Sequence, residues 1–276
     1  MLGIELKRGF RRKTFLITLA IGIVICLGDI LIGSQFYIRR IFDSGFGIQG
    51  FYMEFMKGYV QSPYELFSLF GSSQISNLFF VLIPILSAIS FSDSYLEDLN
   101  SGFLKNVLSR CSKRKYLHSK FLSNFIISGI TIAIPLLIQL IFLLATRPNI
   151  TPYKLAGTMR KGWLNVDLFL NNPLAYTLMW IFISFMFAGV IASIALGISI
   201  VIRNKFVAVI SPFIVVMGIH ILFQPLGLYK YSVFDFLYGG ASIIGMKFYH
   251  MIITFAVMFL VTYIPFYFGG KANETF

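Results

Sequence analysis

The chain has 276 residues, 57% of them hydrophobic and 12% charged, so a water-soluble fold would have to enclose more apolar surface than its volume allows. That balance excludes an ordinary soluble enzyme or binding domain and makes the bilayer the solvent. The net charge of +12 raises nucleic acid as a partner, but the basic residues flank apolar runs, where they set orientation and attract anionic lipid; nucleic acid is set aside.

The first residues place Leu2, Leu6 and Phe10 at i, i+4 spacing with Lys7, Arg8, Arg11 and Arg12 on other faces, which predicts an N-terminal interfacial helix. Six apolar runs long enough to cross a hydrocarbon core follow, at 14–32, 75–92, 121–145, 174–202, 206–223 and 249–268. The run from Thr14 to Ile32 is long for a signal-peptide core and has no convincing small-residue cleavage site, so it is read as a retained span. No repeat, low-complexity tract or Pro/Gly/Ser-rich linker divides the chain, and no loop could hold a separate ATPase. The expectation is an all-α polytopic membrane protein, with residues 1–276 forming one transmembrane domain.

Lys and Arg cluster in the N-terminal arm (Lys7, Arg8, Arg11, Arg12, Lys13) and in the 93–120 loop (Lys105, Arg110, Lys113, Arg114, Lys115, Lys120), and Arg203, Lys205 and Lys271 share that side. The opposite segments, 33–74, 146–173 and 224–248, carry them at lower density, so both termini are expected in the cytoplasm, in a bacterial plasma membrane. Cys26 lies in a span and Cys111 in a basic loop, an arrangement that makes a disulfide implausible.

Several patterns imitate catalytic or ligand-binding motifs. Gly45, Gly47 and Gly50 have dinucleotide-binding spacing without a βαβ context, and Gly240 and Gly245 precede Met246 where a phosphate loop needs lysine. His220 and His250 have no evident metal-ligand partner, and Ser211 and His220, nine residues apart on one helix, cannot form a nucleophile–base pair. Asp29 reads as a snorkelling or interfacial carboxylate in preference to a proton relay, while Gln139 fits either a helix–helix hydrogen bond or a substrate contact. Asn149-Ile150-Thr151 and Asn273-Glu274-Thr275 match a glycosylation sequon, the second on the side where it has no use.

The loop from Asp93 to Lys120 differs from the rest. It starts acidic and ends basic, complementing a helix dipole, and Phe103, Leu104, Val107 and Leu108 form one stripe, so a short amphipathic helix is expected. Glu97-Asp98, Gly102, a Leu-rich turn, Ser109-Arg110-Cys111-Ser112-Lys113-Arg114 and then Lys120 resemble the loop between the second and third spans of type-2 ABC transporter permeases. The family often has proline in the closing turn, where this chain has Cys111 or its neighbours.

The resemblance implies that this loop holds a coupling helix that docks on an ATPase, with Glu97, Asp98, Gly102, Arg110, Arg114 and Lys120 at the matching positions and Leu104 and Leu108 as apolar anchors. It also implies a re-entrant segment before the last span, here about 232–245 with Asp235, Gly239 and Gly240, and a pathway lined by the second and fifth spans, where Ser87, Ser90, Phe213 and Met217 are candidates. The chain would be a non-catalytic permease that binds no cofactor itself. ATP and Mg would sit on an ABC ATPase subunit, and a second permease copy or a paralogue would complete a dimer exporting a hydrophobic or amphipathic substrate such as a drug, lipid or peptide. The alternatives are an ATP-independent receptor or immunity protein for a membrane-active peptide and, more remotely, an intramembrane enzyme.

Overall fold

A computed structural model describes residues 1–43, 62–68, 73–150, 152, 164–237 and 245–272. The glycine motif at 45–50, Thr151, Gly239, Gly240 and the second sequon lie outside them. Every regular element among the described residues is helical: α1 (Leu2–Phe10), α2 (Lys13–Asp43), α3 (Gln74–Phe91), α4 (Ser94–Asn100), α5 (Phe103–Leu108), α6 (Lys113–Thr146), α7 (Val166–Asn171), α8 (Pro173–Val201), α9 (Lys205–Phe223), a 3-10 turn (Tyr229–Tyr231), α10 (Val233–Leu237) and α11 (Phe248–Ala272). α2, α3, α6, α8, α9 and α11 are long and apolar enough to cross a membrane, so the chain is a polytopic helical membrane protein.

The ends of the spans follow from local chemistry. The Ser73 hydroxyl caps α3 by accepting from the Ser76 amide at 3.0 Å. Asn172 accepts from the Ala175 amide at 3.2 Å, and Pro173, which has no amide hydrogen to lose, opens α8. Arg203-Asn204-Lys205, between the fourth and fifth apolar runs, holds a helix start, because the Asn204 side chain accepts from the Phe206 amide at 2.9 Å.

Two features depart from expectation. α6 begins at Lys113, eight residues before its apolar run, because the basic turn that precedes the run is also helical. Lys120 therefore lies two turns inside α6. The predicted amphipathic helix in the 93–120 loop is divided into α4 and α5 by Ser101 and Gly102, the latter at φ 70°, a left-handed conformation that favours glycine.

α8 is the central helix, packed against α3, α6, α9 and α11. In its apolar window 67% of residues are buried, against 22% for α9 and 28% for α11, whose outward surfaces suit lipid. α6 and α8 approach closely at two glycines: a β-carbon on Gly129 would stand 2.7 Å from the Phe185 carbonyl oxygen, and one on Gly189 would stand 2.7 Å from that of Phe125. The Phe125 and Phe185 rings meet edge to face at 5.9 Å between centroids.

Candidate functional site

At the end of the bundle that carries α1, four segments bring eight charged side chains together. α1 contributes Glu5 and Arg8 one turn apart, and Arg12 follows just beyond it. Asp93, Glu97 and Asp98 come from α4 and the residue before it, Lys120 from α6 and Lys205 from the first position of α9.

Lys120 is at the centre. Its ammonium donates to Asp98 Oδ2 at 2.6 Å and to Glu5 Oε2 at 2.9 Å, and the Tyr116 hydroxyl donates to the same Asp98 oxygen at 2.7 Å. Arg8 donates to Asp98 Oδ1 at 2.5 Å. Beside this core, Arg12 pairs with Asp93 at 2.6 Å and with Glu97, and Lys205 reaches Asp93 at 2.5 Å and Glu97 at 3.6 Å. Lys120 also lies 5.2 Å from the centroid of the Phe91 ring, and the Arg12 guanidinium 5.5 Å from it.

The Lys120 and Asp98 side chains are fully buried and Glu5 is 2% exposed, so these ions have exchanged water for one another. Burial opposes the charge on Arg8, but its hydrogen bond to Asp98 and the nearby carboxylates of Asp98, Glu5 and Glu97 outweigh that and hold its pKa above the ordinary guanidinium value.

Among the residues matched to the permease loop, Glu97, Asp98 and Lys120 thus converge, with Asp98 turned inward. Leu104 is buried with Val107 against Tyr116, Leu117, Phe121 and Phe266, and Leu108 packs at the edge of that cluster. Gly102 joins the two short helices. Arg110 and Arg114 stay exposed, as do Phe103, Lys105 and Lys115. The loop thus turns its acids toward the bundle and leaves much of its positive charge outside. Glu5, Arg8, Arg12, Asp93 and Lys205 were not singled out from sequence for this cluster; the visible signal was a lone acid, Glu5, inside a basic arm.

The candidate path residues take no part in the ion pairs of the charged cluster, although Ser90 directly precedes Phe91, whose ring lies beside Lys120 and Arg12. The Ser87 hydroxyl bonds to the Pro84 carbonyl at 3.2 Å, and Ser90 bonds to the Ser87 carbonyl at 2.7 Å and to Ser128 Oγ at 3.0 Å, a contact between α3 and α6. Phe213 and Met217 are partly buried on α9.

At the opposite end, His220 has the partners that its sequence position did not reveal. Its Nδ1 lies 3.0 Å from Asp235 Oδ2 and 3.3 Å from Ser232 Oγ, joining the end of α9 to α10. Carboxylate and hydroxyl share one ring nitrogen, whereas a proton relay to a nucleophile needs them on opposite nitrogens. The grouping ties the segment before α11 to the fifth span.

Asp29 is 4% exposed, so the snorkelling reading is corrected: neighbouring hydroxyls and an amide draw the carboxylate inward. Ser68 Oγ donates to it at 2.6 Å and Gln139 Nε2 at 3.2 Å, and Ser73 Oγ donates to its other oxygen. Gln139 also bonds to the Cys26 carbonyl at 3.0 Å, fixing α6 against α2. The described residues hold no group of three or more His, Cys, Asp or Glu side chains suited to a metal ion. No protein-family model, curated protein or solved structure matches this polytopic helical membrane protein.

Proposed function

We propose that the chain is the membrane-spanning permease of an ATP-driven transporter, coupled to a separate ABC ATPase subunit that carries ATP and Mg, and paired with a second permease copy or a paralogue. The observation that carries this reading is the α4–Gly102–α5 unit: two short helices between the second and third long helices, joined through α4 by ions to α1, α6 and α9. A push on α5 would pass through α4 into the third and fifth spans without side chains having to reorganise first. The exposed side chains of α5 and the turn after it would meet the ATPase, while Asp98 and Lys120 transmit the movement. In this reading both termini are cytoplasmic, the chain has no catalytic centre, and the aromatic surfaces of the spans suit an apolar or amphipathic cargo.

Co-expression of the tagged chain with ABC ATPase subunits from the same genome, followed by purification in mild detergent, tests this. Wild type should retain an ATPase, and Lys105→Glu with Arg110→Glu should release it while the permease stays monodisperse. Failure of a well-folded wild type to bind any ATPase, together with direct binding of a membrane-active peptide, would favour the passive receptor.

A further inference from the structure

Among the described residues three aspartates are deeply buried, and their surroundings differ: Asp93 faces Arg12 and Lys205. Asp98 faces the ammonium of Lys120 and the guanidinium of Arg8. Among the described residues the groups that hydrogen-bond to Asp29 are neutral: the hydroxyls of Ser68 and Ser73 and the amide of Gln139, with Ser76 Oγ 3.0 Å beyond Ser73 Oγ. No Lys, Arg or His among the described residues forms an ion pair with it. A carboxylate removed from water without a countercharge is among the least favourable arrangements in a protein, and in a span there is little solvent to relieve it.

Gln139 supplies a second, independent observation. Its amide nitrogen, with two hydrogens to donate, lies within hydrogen-bond distance of three oxygens, the Cys26 carbonyl, Asp29 and Ser68 Oγ, while its Oε1 is buried with no hydrogen-bond partner among the described residues. Turning the amide over would bring Oε1 to the cluster, an arrangement that requires positive charge or a donated proton between it and Asp29. The amide is therefore one rotation from completing an oxygen-only site of one carboxylate, serine hydroxyls, an amide oxygen and the Cys26 carbonyl.

We propose that Asp29, Ser68, Ser73 and Gln139 form a binding site for a monovalent cation, either a proton or sodium. One carboxylate balances one positive charge, whereas a calcium site recruits more oxygen ligands and further carboxylates, and softer metals select nitrogen and sulfur. With a proton, the Asp29 carboxylate becomes a carboxylic acid whose O–H supplies the donor that Gln139 Oε1 lacks. With sodium, the same oxygens replace part of its hydration shell. In both cases the bound charge fastens Ser68 and Ser73, from the stretch between the first two spans, to α2 and α6. The site does not depend on the transport reading.

The test uses the full chain in lipid nanodiscs. Its unfolding midpoint is followed from about pH 5 to about pH 9 without sodium, and at the alkaline end with sodium chloride against choline chloride at equal ionic strength. Wild type should gain at least about 3 °C with acid or with sodium, and Asp29→Asn should lose that response. A gain with acid alone identifies the proton, and a gain with sodium identifies the metal ion. Infrared spectra of wild type and Asp29→Glu follow the protonated-carboxyl band over the same range, and a band that moves with the Asp-to-Glu change belongs to this site, so the test holds even if Asp29→Asn fails to fold. A wild-type midpoint and carboxyl band indifferent to both cations would overturn the proposal, as would a response that Asp29→Asn retains.

Discussion

Lys120 and Asp98, separated by 22 residues in sequence, meet at 2.6 Å with both side chains withdrawn from solvent, and this pair joins α4 to α6. Removing one member leaves the other buried with part of its countercharge gone. Lys120→Met leaves Glu5 without its ion pair and Asp98 with Arg8 alone, and should cost about 3–5 kcal/mol of stability. Replacing Asp98 by Leu in the same chain should recover part of that loss. Unfolding of the single and double variants in detergent measures the coupling.

Gly102 should tolerate new bulk but not a changed backbone preference. A β-carbon there would meet nothing within 4 Å, yet φ is 70°. Gly102→Asn is therefore expected to be nearly neutral, Gly102→Ala to cost about 1 kcal/mol, and Gly102→Val to cost more. The order of the three midpoints checks this.

The contact between α6 and α8 is limited by backbone approach. Gly129→Ala and Gly189→Ala each press a methyl group against a carbonyl oxygen of the facing helix, and each should destabilise by about 1–3 kcal/mol. Gly218→Ala on α9, where nothing lies within 4 Å, should leave stability unchanged or raised. Thermal unfolding of the three variants separates a packing effect from helix propensity.

His220→Ala removes the link between α9 and α10 at a site where both partners remain partly exposed. The expected loss of overall stability is about 1 kcal/mol. Amide hydrogen exchange should quicken at residues 228–237 and stay unchanged around Lys120.

Much of the fold was legible because a span must be long, apolar and helical, and six runs met that requirement, although α2 runs on to Asp43 and α6 starts eight residues before its apolar run. Partner choice was not. Asp29 looked interfacial because it lies near the end of an apolar run, and only the fold brings Ser68, Ser73 and Gln139 to it. His220 looked unpartnered because Asp235 lies 15 residues away, across a turn whose path the sequence does not dictate. Glu5 was hidden by its basic neighbours, and its meaning appears only when Lys120, 115 residues later, is placed against it.

That separation bears on how the protein is made. Synthesis delivers α1 first, but Lys120, the partner of Glu5, emerges only with the third span, and Lys205, which pairs with Asp93 and Glu97, only with the fifth. Until then Glu5 lacks its ammonium and the carboxylates after α3 lack part of their cationic shell, so the N-terminal arm has no fixed seat. A nascent chain that stops before the third span should keep this arm open to proteolysis, and completion of α6 is the step that closes it.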